Sequence, residues 1–270
     1  AQHAKWDPDL ANQFFDVLMR FTAAYPAPDL VIWPETSLPY LIDQHSELPE
    51  MIGQAGGGAK VIVGRQRLDG DRGYNTLTVF GPDGSVLGEY DKHHLVPFGE
   101  YIPFGDLLFD WLNISAFASA TGNGYSAGPG PQVIDLGPKL GKVLPLICYE
   151  AVFPQDLRVA IRPDWLLQIT NDAWFGVWSG PFQHAAQARL RAIEQGLPLV
   201  RVANTGVTAV YDARGRVVDS LPFDTAAYLN TGLPGALAAT PYARFGETPL
   251  MLLLAGLGAG LIRWQRRRLP

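Results

Sequence analysis

The chain is poor in cysteine, because Cys148 is the only one among its 270 residues. A single thiol cannot form a disulfide within the chain, and a zinc site of the thiolate type needs several other ligands. Cys148 is therefore either an inert buried residue, as free cysteines often are, or a nucleophile. It ends the apolar run 143–148 and directly precedes Tyr149 and Glu150.

The chain is also poor in charge, since charged residues make up only 17% of it and the formal net charge is −5. Basic residues cluster only at the extreme C-terminus. A nucleic-acid partner needs a basic face along the fold, so this class of function is excluded. The hydrophobic content of 47% indicates a globular protein, and the low charge favours contact with something apolar.

The body of the chain alternates between helical and strand patterns. We expect helices over 10–25, 48–54 and 183–194, buried strands over 30–33, 60–64, 143–148 and 164–172, and hairpins over 76–90 and 208–221. The strand at 29–35 is echoed at 164–172, and each ends in polar residues. These duplicated units predict two sheets packed together with helices outside.

Two segments interrupt this pattern. Segment 101–132 contains a strongly apolar part and a part rich in Gly, Ser and Pro, which predicts either a functional lid or a surface loop pinned by aromatic side chains. The stretch Pro249–Ile262 has no charge and is followed by arginines. Its 14 residues span only about 21 Å, but with its flanks it approaches the thickness of a bilayer.

We therefore expect a transmembrane helix over 245–264 and a basic cytoplasmic tail over 265–270, with the domain 1–240 on the periplasmic side. The alternative is a buried C-terminal helix with a basic tail. Because the chain does not start with methionine, we also expect further membrane spans upstream of it.

A cysteine nucleophile needs a base for its proton and a cation for the charge that develops. No Cys-His-Asn pattern of the papain type is visible. Glu35, at the end of a buried strand, and Lys92, after the first hairpin, are the candidates for these roles. Each also has an ordinary interpretation, Glu35 as a cap near Ser37 and Lys92 as a solvated turn residue.

Two adjacent histidines, His93 and His94, follow Lys92. On an extended segment, neighbouring side chains point to opposite faces, so we expect that this pair cannot share one ion. The sequence thus predicts neither a metal site nor a cofactor.

The motifs WPE, YDKHHLVPFGEY and ICYE contain Glu35, Lys92 and Cys148 in the order and wide spacing of the Glu-Lys-Cys triad of the nitrilase superfamily. The longer strings WPETSLP, KHHLVPFGEYIPF, ICYEAVFP, TNDAWFG and RVANTGVTAV resemble the nitrilase-like domain of the apolipoprotein N-acyltransferases, a family of bacterial inner-membrane enzymes. This resemblance covers about residues 10–221. It implies a four-layer α-β-β-α sandwich.

The resemblance also implies roles for the triad. Glu35 would be the general base, Cys148 would form a thioester with an acyl group, and Lys92 with the backbone N–H of Tyr149 would bind the oxyanion. The acyl donor would be a membrane phospholipid. The acceptor would be the α-amine of the diacylglyceryl-cysteine of an apolipoprotein. The alternative is an amidase or carbamoylase of the same superfamily, in which water replaces the amine.

Further positions match the family less directly. Glu100 resembles the second glutamate that orients the lysine, and Glu150 a residue also required, although a helix N-terminal acid needs no catalytic role. Asn75 and Trp6 match positions at or near the active site. Trp174 either lines the acyl side or belongs to ordinary core packing.

Overall fold

Two β-sheets, one of four strands and one of six, form the centre of the fold. The computed structural model describes residues 8–38, 40–42, 46–101 and 124–267 of the chain. In spatial order, the first sheet contains β1 (Leu30–Ile32), β2 (Lys60–Asp69), β3 (Arg72–Phe80) and β4 (Val86–Asp91). The second contains β10 (Val217–Ser220), β9 (Ala209–Tyr211), β8 (Leu199–Asn204), β7 (Trp165–Asn171), β6 (Lys142–Ile147) and β5 (Ile134–Asp135).

Both sheets mix parallel and antiparallel pairs. The pair β1/β2 and the three strands β6, β7 and β8 are parallel, whereas β2/β3, β3/β4 and β9/β10 are antiparallel. The two predicted hairpins are therefore confirmed. Because β6, β7 and β8 are parallel, their carboxyl ends lie at one edge of the sheet, where functional groups gather in α/β proteins.

The described helices are α1 (Pro8–Thr22), α2 (Leu48–Ala55), α3 (Gly180–Gln195), α4 (Pro241–Phe245) and α5 (Thr248–Arg266). The described residues also contain three short 3-10 turns. Cys148–Val152 follows β6, Pro154–Leu157 comes after it, and Asp172–Phe175 follows β7. The predicted helices are thus confirmed with shifted ends. α3 begins three residues earlier than expected because a proline is tolerated in the first turn, where its missing N–H leaves no bond unmade.

Three clusters of buried apolar side chains separate the layers. The cluster between the sheets joins side chains from both, including Ile62, Leu77, Val79, Val143, Ile147 and Leu167. α1 and α2 cover the outer face of the first sheet through a cluster with Phe15, Ile52, Val61 and Val63. α3 covers the outer face of the second through a cluster with Leu144, Leu146, Ala188 and Ala192. This is the predicted α-β-β-α sandwich.

The C-terminal prediction is wrong in its main point. Among the described residues, no helix combines the length and the apolar character needed to cross a membrane. The apolar stretch does form α5, but its uncharged part, Pro249–Ile262, reaches only about 21 Å, and polar residues end the helix. The alternative, a buried helix, is also not observed, because no residue of α5 is buried.

Some expectations fall on residues that the structure does not describe. Trp6 and most of the lid segment, 102–123, lie outside the described ranges, as do the last three residues of the basic tail. The domain boundary at residue 240 and the lid remain predictions.

One glycine allows the loop after β1 to lie directly on β2. A Cβ atom on Gly64 would lie 2.4 Å from the Pro34 carbonyl oxygen and 2.7 Å from the Cα of Glu35. We expect Gly64→Ala to lower the free energy of unfolding by about 1–3 kcal/mol, as overpacking does, in a urea titration. Gly232→Ala, where an added Cβ meets nothing within 4 Å, is the matched control. Equal stability of the two variants would contradict this account of the close contact.

Candidate active site

Cys148 lies where β6 ends and the chain turns sharply. Its φ of 51° is in the left-handed region, which costs a residue other than glycine about 1–3 kcal/mol unless its surroundings impose it. The 3-10 turn Cys148–Val152 begins there, at the carboxyl edge of the parallel strands. Cys148 is buried, with 6% of its surface exposed. A reactive group on such a turn is presented at the sheet edge in a fixed direction.

Glu35 lies in the loop after β1, and its carboxylate connects the two sheets. Its Oε1 accepts a hydrogen bond of 2.7 Å from Asn75 Nδ2 on β3, and its Oε2 accepts one of 2.7 Å from the backbone N–H of Asn171 on β7. The following residue, Thr36, has a φ of 46°. The sequence alternative of Glu35 as a cap near Ser37 is not observed, because both described partners come from the sheets.

Lys92 follows β4 and is only 1% exposed. Its Nζ lies 2.9 Å from Glu100 Oε1 and 3.7 Å from Glu35 Oε1, so one ammonium group forms ion pairs with two carboxylates. Glu100 is fixed in turn, because its Oε2 accepts from the backbone N–H of Val96 at 2.8 Å and its Oε1 from Asn75 Nδ2 at 3.1 Å. The alternative of Lys92 as a solvated turn residue is wrong.

The electrostatics of the site follow from burial and from these charges. Burial alone would lower the pKa of Lys92, but Glu35 and Glu100 outweigh it and raise that pKa above its ordinary value. Burial raises the pKa of Glu35, with a further contribution from Glu100, while Lys92 opposes the shift. A carboxylate with a raised pKa is a stronger base, and it lies close enough to Cys148 for its charge to act on the thiol.

The Cys148 thiol is itself difficult to ionise. Burial, and after it the charge of Glu35, raises the pKa of the thiol to about 12, although Lys92 and a hydrogen bond with the Thr170 side chain lower it. At neutral pH the resting thiol is therefore protonated, and a nearby base is needed to remove its proton. The structure thus brings the three predicted residues Glu35, Lys92 and Cys148 into one electrostatic cluster.

Glu150 joins the Cys148 turn to the segment that carries Lys92. Its side chain is fully buried. Its Oε2 accepts a hydrogen bond of 2.7 Å from the backbone N–H of Ile147. Its Oε1 accepts two of 2.8 Å, from the backbone N–H of His93 and from the Tyr90 hydroxyl. The contact with Ile147 is that of an acid at the start of a helical turn. The other contacts make Glu150 a tether between two parts of the site.

The prediction that the side chains of His93 and His94 point to opposite faces is wrong. His93 Nε2 and His94 Nδ1 both contact Asp156 Oδ2, at 3.1 Å and 2.6 Å. The chain bends after β4 ends at Asp91, so the two rings do not alternate as on a strand. Their ligand atoms lie within 4.8 Å of one another, close enough for an ion. The contacts attach the turn Pro154–Leu157 to the Lys92 segment, and the absence of a metal from the function remains a prediction.

The other predicted residues differ in their contacts and in their exposure. Asn75 contacts Glu35 and Glu100 and so belongs to the site. The Tyr149 ring packs edge-on against Phe153, and its backbone N–H immediately follows the turn at Cys148. Trp174 is 63% exposed, so ordinary core packing does not explain it.

A buried polar network that was not predicted from the sequence lies beneath Cys148 and consists of Gln168, Asp172, His184 and Arg201. The carbonyl oxygen of Cys148 lies 3.0 Å from both Gln168 Nε2 and His184 Nε2. A sequence signal was available. Arg201 interrupts an apolar strand, and a charge in such a position requires a buried partner.

A model of the family described as carbon-nitrogen hydrolase matches residues 9–240. Several curated relatives are named apolipoprotein N-acyltransferase. The relative from Rhodopseudomonas palustris is 42% identical, and the match covers 84% of this chain and 43% of the relative. The relative from Rhizobium rhizogenes is 40% identical, and the match covers 95% of this chain and 50% of the relative. The relative from Brucella melitensis is 36% identical over 99% of this chain and 53% of its own length. The chain thus spans about half the length of these relatives.

Solved structures with the same fold are more distant in sequence. A carbon-nitrogen hydrolase superfamily protein from Xanthomonas campestris has a TM-score of 0.58, with 21% identity and coverage of 91% of each chain. A mutant amidase of the nitrilase superfamily from Nesterenkonia has a TM-score of 0.57, with 16% identity, and the match covers 79% of this chain and 81% of the amidase. These likenesses concern the fold.

The charges around Cys148 predict the direction in which substitutions move its pKa. We expect Lys92→Met to raise the pKa of the thiol and Glu35→Gln to lower it, because Lys92 lowers this pKa and Glu35 raises it. The measurement is the ultraviolet absorbance of the thiolate as a function of pH. With one cysteine in the chain, Cys148→Ser supplies the blank. Shifts of the same sign in both variants would contradict the proposed charge arrangement.

Proposed function

The chain belongs to the carbon-nitrogen hydrolase family, and on that premise we propose that it transfers a fatty acyl group from a phospholipid to the N-terminal amine of a lipoprotein. The observation that carries the proposal is the Cys148 thiol on a left-handed turn, within the field of the buried Glu35–Lys92–Glu100 cluster. The names of the relatives at about 40% identity support the acyltransferase reaction.

In the first half of the reaction, Glu35 accepts the proton of the Cys148 thiol. The sulfur then forms a bond to the ester carbonyl carbon of the phospholipid. The charge on the carbonyl oxygen is stabilised by the Lys92 ammonium and the backbone N–H of Tyr149. The bond from carbon to the glycerol oxygen breaks, that oxygen takes the proton back from Glu35, and lysophospholipid leaves a thioester on Cys148.

In the second half, the α-amine of the diacylglyceryl-cysteine of an apolipoprotein attacks the thioester carbonyl. Glu35 accepts a proton from the amine nitrogen, and the same two donors stabilise the oxyanion. The carbon–sulfur bond breaks and an amide forms. Glu35 then returns the proton to the Cys148 sulfur, so no cofactor is consumed. A carboxyl group that must gain and lose a proton in each half benefits from a raised pKa.

The remaining residues have supporting roles in this proposal. Glu100 keeps the Lys92 ammonium in place, and Glu150 fixes the Cys148 turn against the Lys92 segment. Asn75 donates from its amide nitrogen to both carboxylates, while its buried Oδ1 has no partner among the residues that the structure describes. This oxygen is suited to accept an N–H of the incoming amine.

The substrates place the reaction at a lipid surface, which we propose is the periplasmic side of the bacterial inner membrane. The exposed Trp174 lies in a stretch of apolar side chains with Phe175, Val177 and Trp178, a suitable contact for an acyl chain. Trp6 is proposed as a second substrate contact from its place in the sequence motif alone. Neither assignment requires a membrane-spanning helix in the described part of the chain.

The second candidate is an amidase or carbamoylase of the same superfamily. It is favoured by the fold that the chain shares with the Nesterenkonia amidase. The first half of its reaction would use the same three residues, Glu35, Lys92 and Cys148. The two candidates differ in the second half, because water rather than an amine would release the acyl group. This difference decides the design of the experiments.

The acyl-enzyme predicts a mass change on one residue. After incubation with a phospholipid of defined chains, we expect Cys148 to gain the mass of one fatty acyl group, measured on the intact chain and its peptides. Cys148→Ala should lose both the adduct and all transfer, while circular dichroism shows the native fold. Retained transfer in this variant would exclude the cysteine mechanism.

The acceptor is identified by how the adduct is discharged. With the acylated chain isolated, we expect a diacylated lipopeptide with a free N-terminus to remove the acyl group at least about tenfold faster than buffer alone. The same lipopeptide with an acetylated N-terminus is the control. Equal loss in buffer and in both peptides would favour the hydrolase.

The oxyanion donors predict a rate loss without loss of substrate binding. We expect Lys92→Met to reduce kcat roughly 100- to 1,000-fold with little change in KM, because the ammonium acts on charge that develops only in the transition state. Initial rates with the phospholipid donor measure this. A purely raised KM would instead make Lys92 a substrate-binding residue.

A further inference from the structure

The buried network of Gln168, Asp172, His184 and Arg201 has no role in the steps proposed above. We propose that it positions the nucleophile turn, by holding the Cys148 carbonyl and so aiming the Tyr149 N–H at the oxyanion. The inference rests on the proposed function only in that an oxyanion forms at Cys148. It assigns positioning roles to four residues that do not touch the substrate.

The physical link is the planar peptide unit between Cys148 and Tyr149. In a trans peptide the carbonyl and the following N–H point in opposite directions within one plane. The Cys148 carbonyl lies 3.0 Å from Gln168 Nε2 and 3.0 Å from His184 Nε2. Whatever fixes this carbonyl on the inner side therefore fixes the direction of the Tyr149 N–H on the other side.

The two side chains at the carbonyl are themselves held in one orientation. Arg201 Nη1 donates to Gln168 Oε1, so the nitrogen of that amide must face the Cys148 carbonyl. His184 Nδ1 lies 2.9 Å from Asp172 Oδ1, and a carboxylate partner requires the proton on that ring nitrogen. The remaining ring nitrogen, Nε2, then serves as the acceptor for Gln168 Nε2, 3.1 Å away, and Gln168 is the side chain that donates to the Cys148 carbonyl.

A charged pair completes the network beneath these contacts. Arg201 Nη2 donates to Asp172 Oδ2, and both side chains are fully buried. Burial alone would raise the pKa of Asp172, but His184 and Arg201 outweigh it and lower that pKa, which favours the carboxylate. Gly206 lies against this carboxylate, since a Cβ there would be 2.2 Å from Asp172 Oδ2.

Stability alone is a weak reason for such a network. A buried ion pair often contributes no more than apolar residues of the same volume would. A left-handed cysteine, in contrast, persists only where its surroundings impose the conformation. The network supplies that constraint at the one peptide unit whose N–H the mechanism uses.

The experiment compares two reactions of the same sulfur. Acylation by a p-nitrophenyl ester forms an oxyanion, whereas alkylation by iodoacetamide is a displacement at carbon that forms none. The variants are His184→Ala and Gln168→Leu, each checked for its native fold by its thermal midpoint. His184→Gln is the conservative variant, because its amide oxygen can again accept from Gln168 Nε2 and so keep that amide turned to the carbonyl.

We expect His184→Ala and Gln168→Leu to lower the acylation rate about 10- to 100-fold, somewhat less than the loss of an oxyanion donor. Their alkylation rates should stay within about threefold of the wild type, and His184→Gln should recover most of the acylation. Arg65→Met removes another ion pair, that of the buried Arg65 with the partly exposed Glu89 at 2.6 Å, and should leave the ratio of the two rates unchanged.

Equal losses of acylation and alkylation, or no loss of either, would overturn the positioning role. The result for the wild type separates this inference from the proposed function. If the p-nitrophenyl ester acylates Cys148 and phospholipid does not, only the lipid substrate fails. If neither ester acylates a cysteine that iodoacetamide alkylates, both proposals fail.

Discussion

The buried ammonium of Lys92 is the interaction on which the site depends. Glu35 and Glu100 are both buried, and the Lys92 Nζ lies 3.7 Å and 2.9 Å from their carboxylates, so this cation offsets the cost of burying two acidic groups side by side. Removing one partner from such a cluster typically costs about 3–5 kcal/mol, because a charge is left buried and unpaired. The same cation lowers the pKa of the Cys148 thiol, which Glu35 raises. Stability and the proposed chemistry therefore share the side chains of Lys92 and Glu35, so a change to either one affects both.

This cluster also explains why the two sheets face each other at this edge. The carboxylate of Glu35, from the first half of the chain, accepts hydrogen bonds from β3 in one sheet and from the end of β7 in the other. Glu150 and the network below Cys148 fix the Cys148 turn from two further sides. Residues in left-handed conformations, Thr36 and Cys148, occur next to these contacts. The strain is local, and it is imposed by hydrogen bonds that come from distant segments.

A shared fold does not decide between transfer and hydrolysis. The first half of either reaction needs only a base, a cation and a thiol, and Glu35, Lys92 and the Cys148 thiol lie together in this structure. What separates the two outcomes is whether an amine reaches the thioester before water does. The buried Oδ1 of Asn75, which has no partner within the part of the chain that the structure describes, suits an N–H donor. The exposed aromatic side chains after β7 suit an apolar substrate. Both features concern the second substrate and the lipid rather than the acylation chemistry.

The sequence alone determined the strands and the hairpins, because apolar periodicity and turn residues are local signals. The proposal of Glu35, Lys92 and Cys148 as a triad came from the resemblance to a family, and the fold brings these three residues together. It failed at the apolar C-terminal stretch, and it failed where the outcome depended on neighbours. The apolar stretch of α5 looked long enough to cross a membrane only when its flanks were added, and the helix ends in polar residues. His93 and His94 were expected to diverge, yet a bend brings both to Asp156. The network of Gln168, Asp172, His184 and Arg201 was missed because its members come from two strands, a 3-10 turn and a helix. Only tertiary structure decided the position of the histidines and the buried network, since the partners that satisfy a buried charge are distant in sequence and become neighbours when the sheets pack.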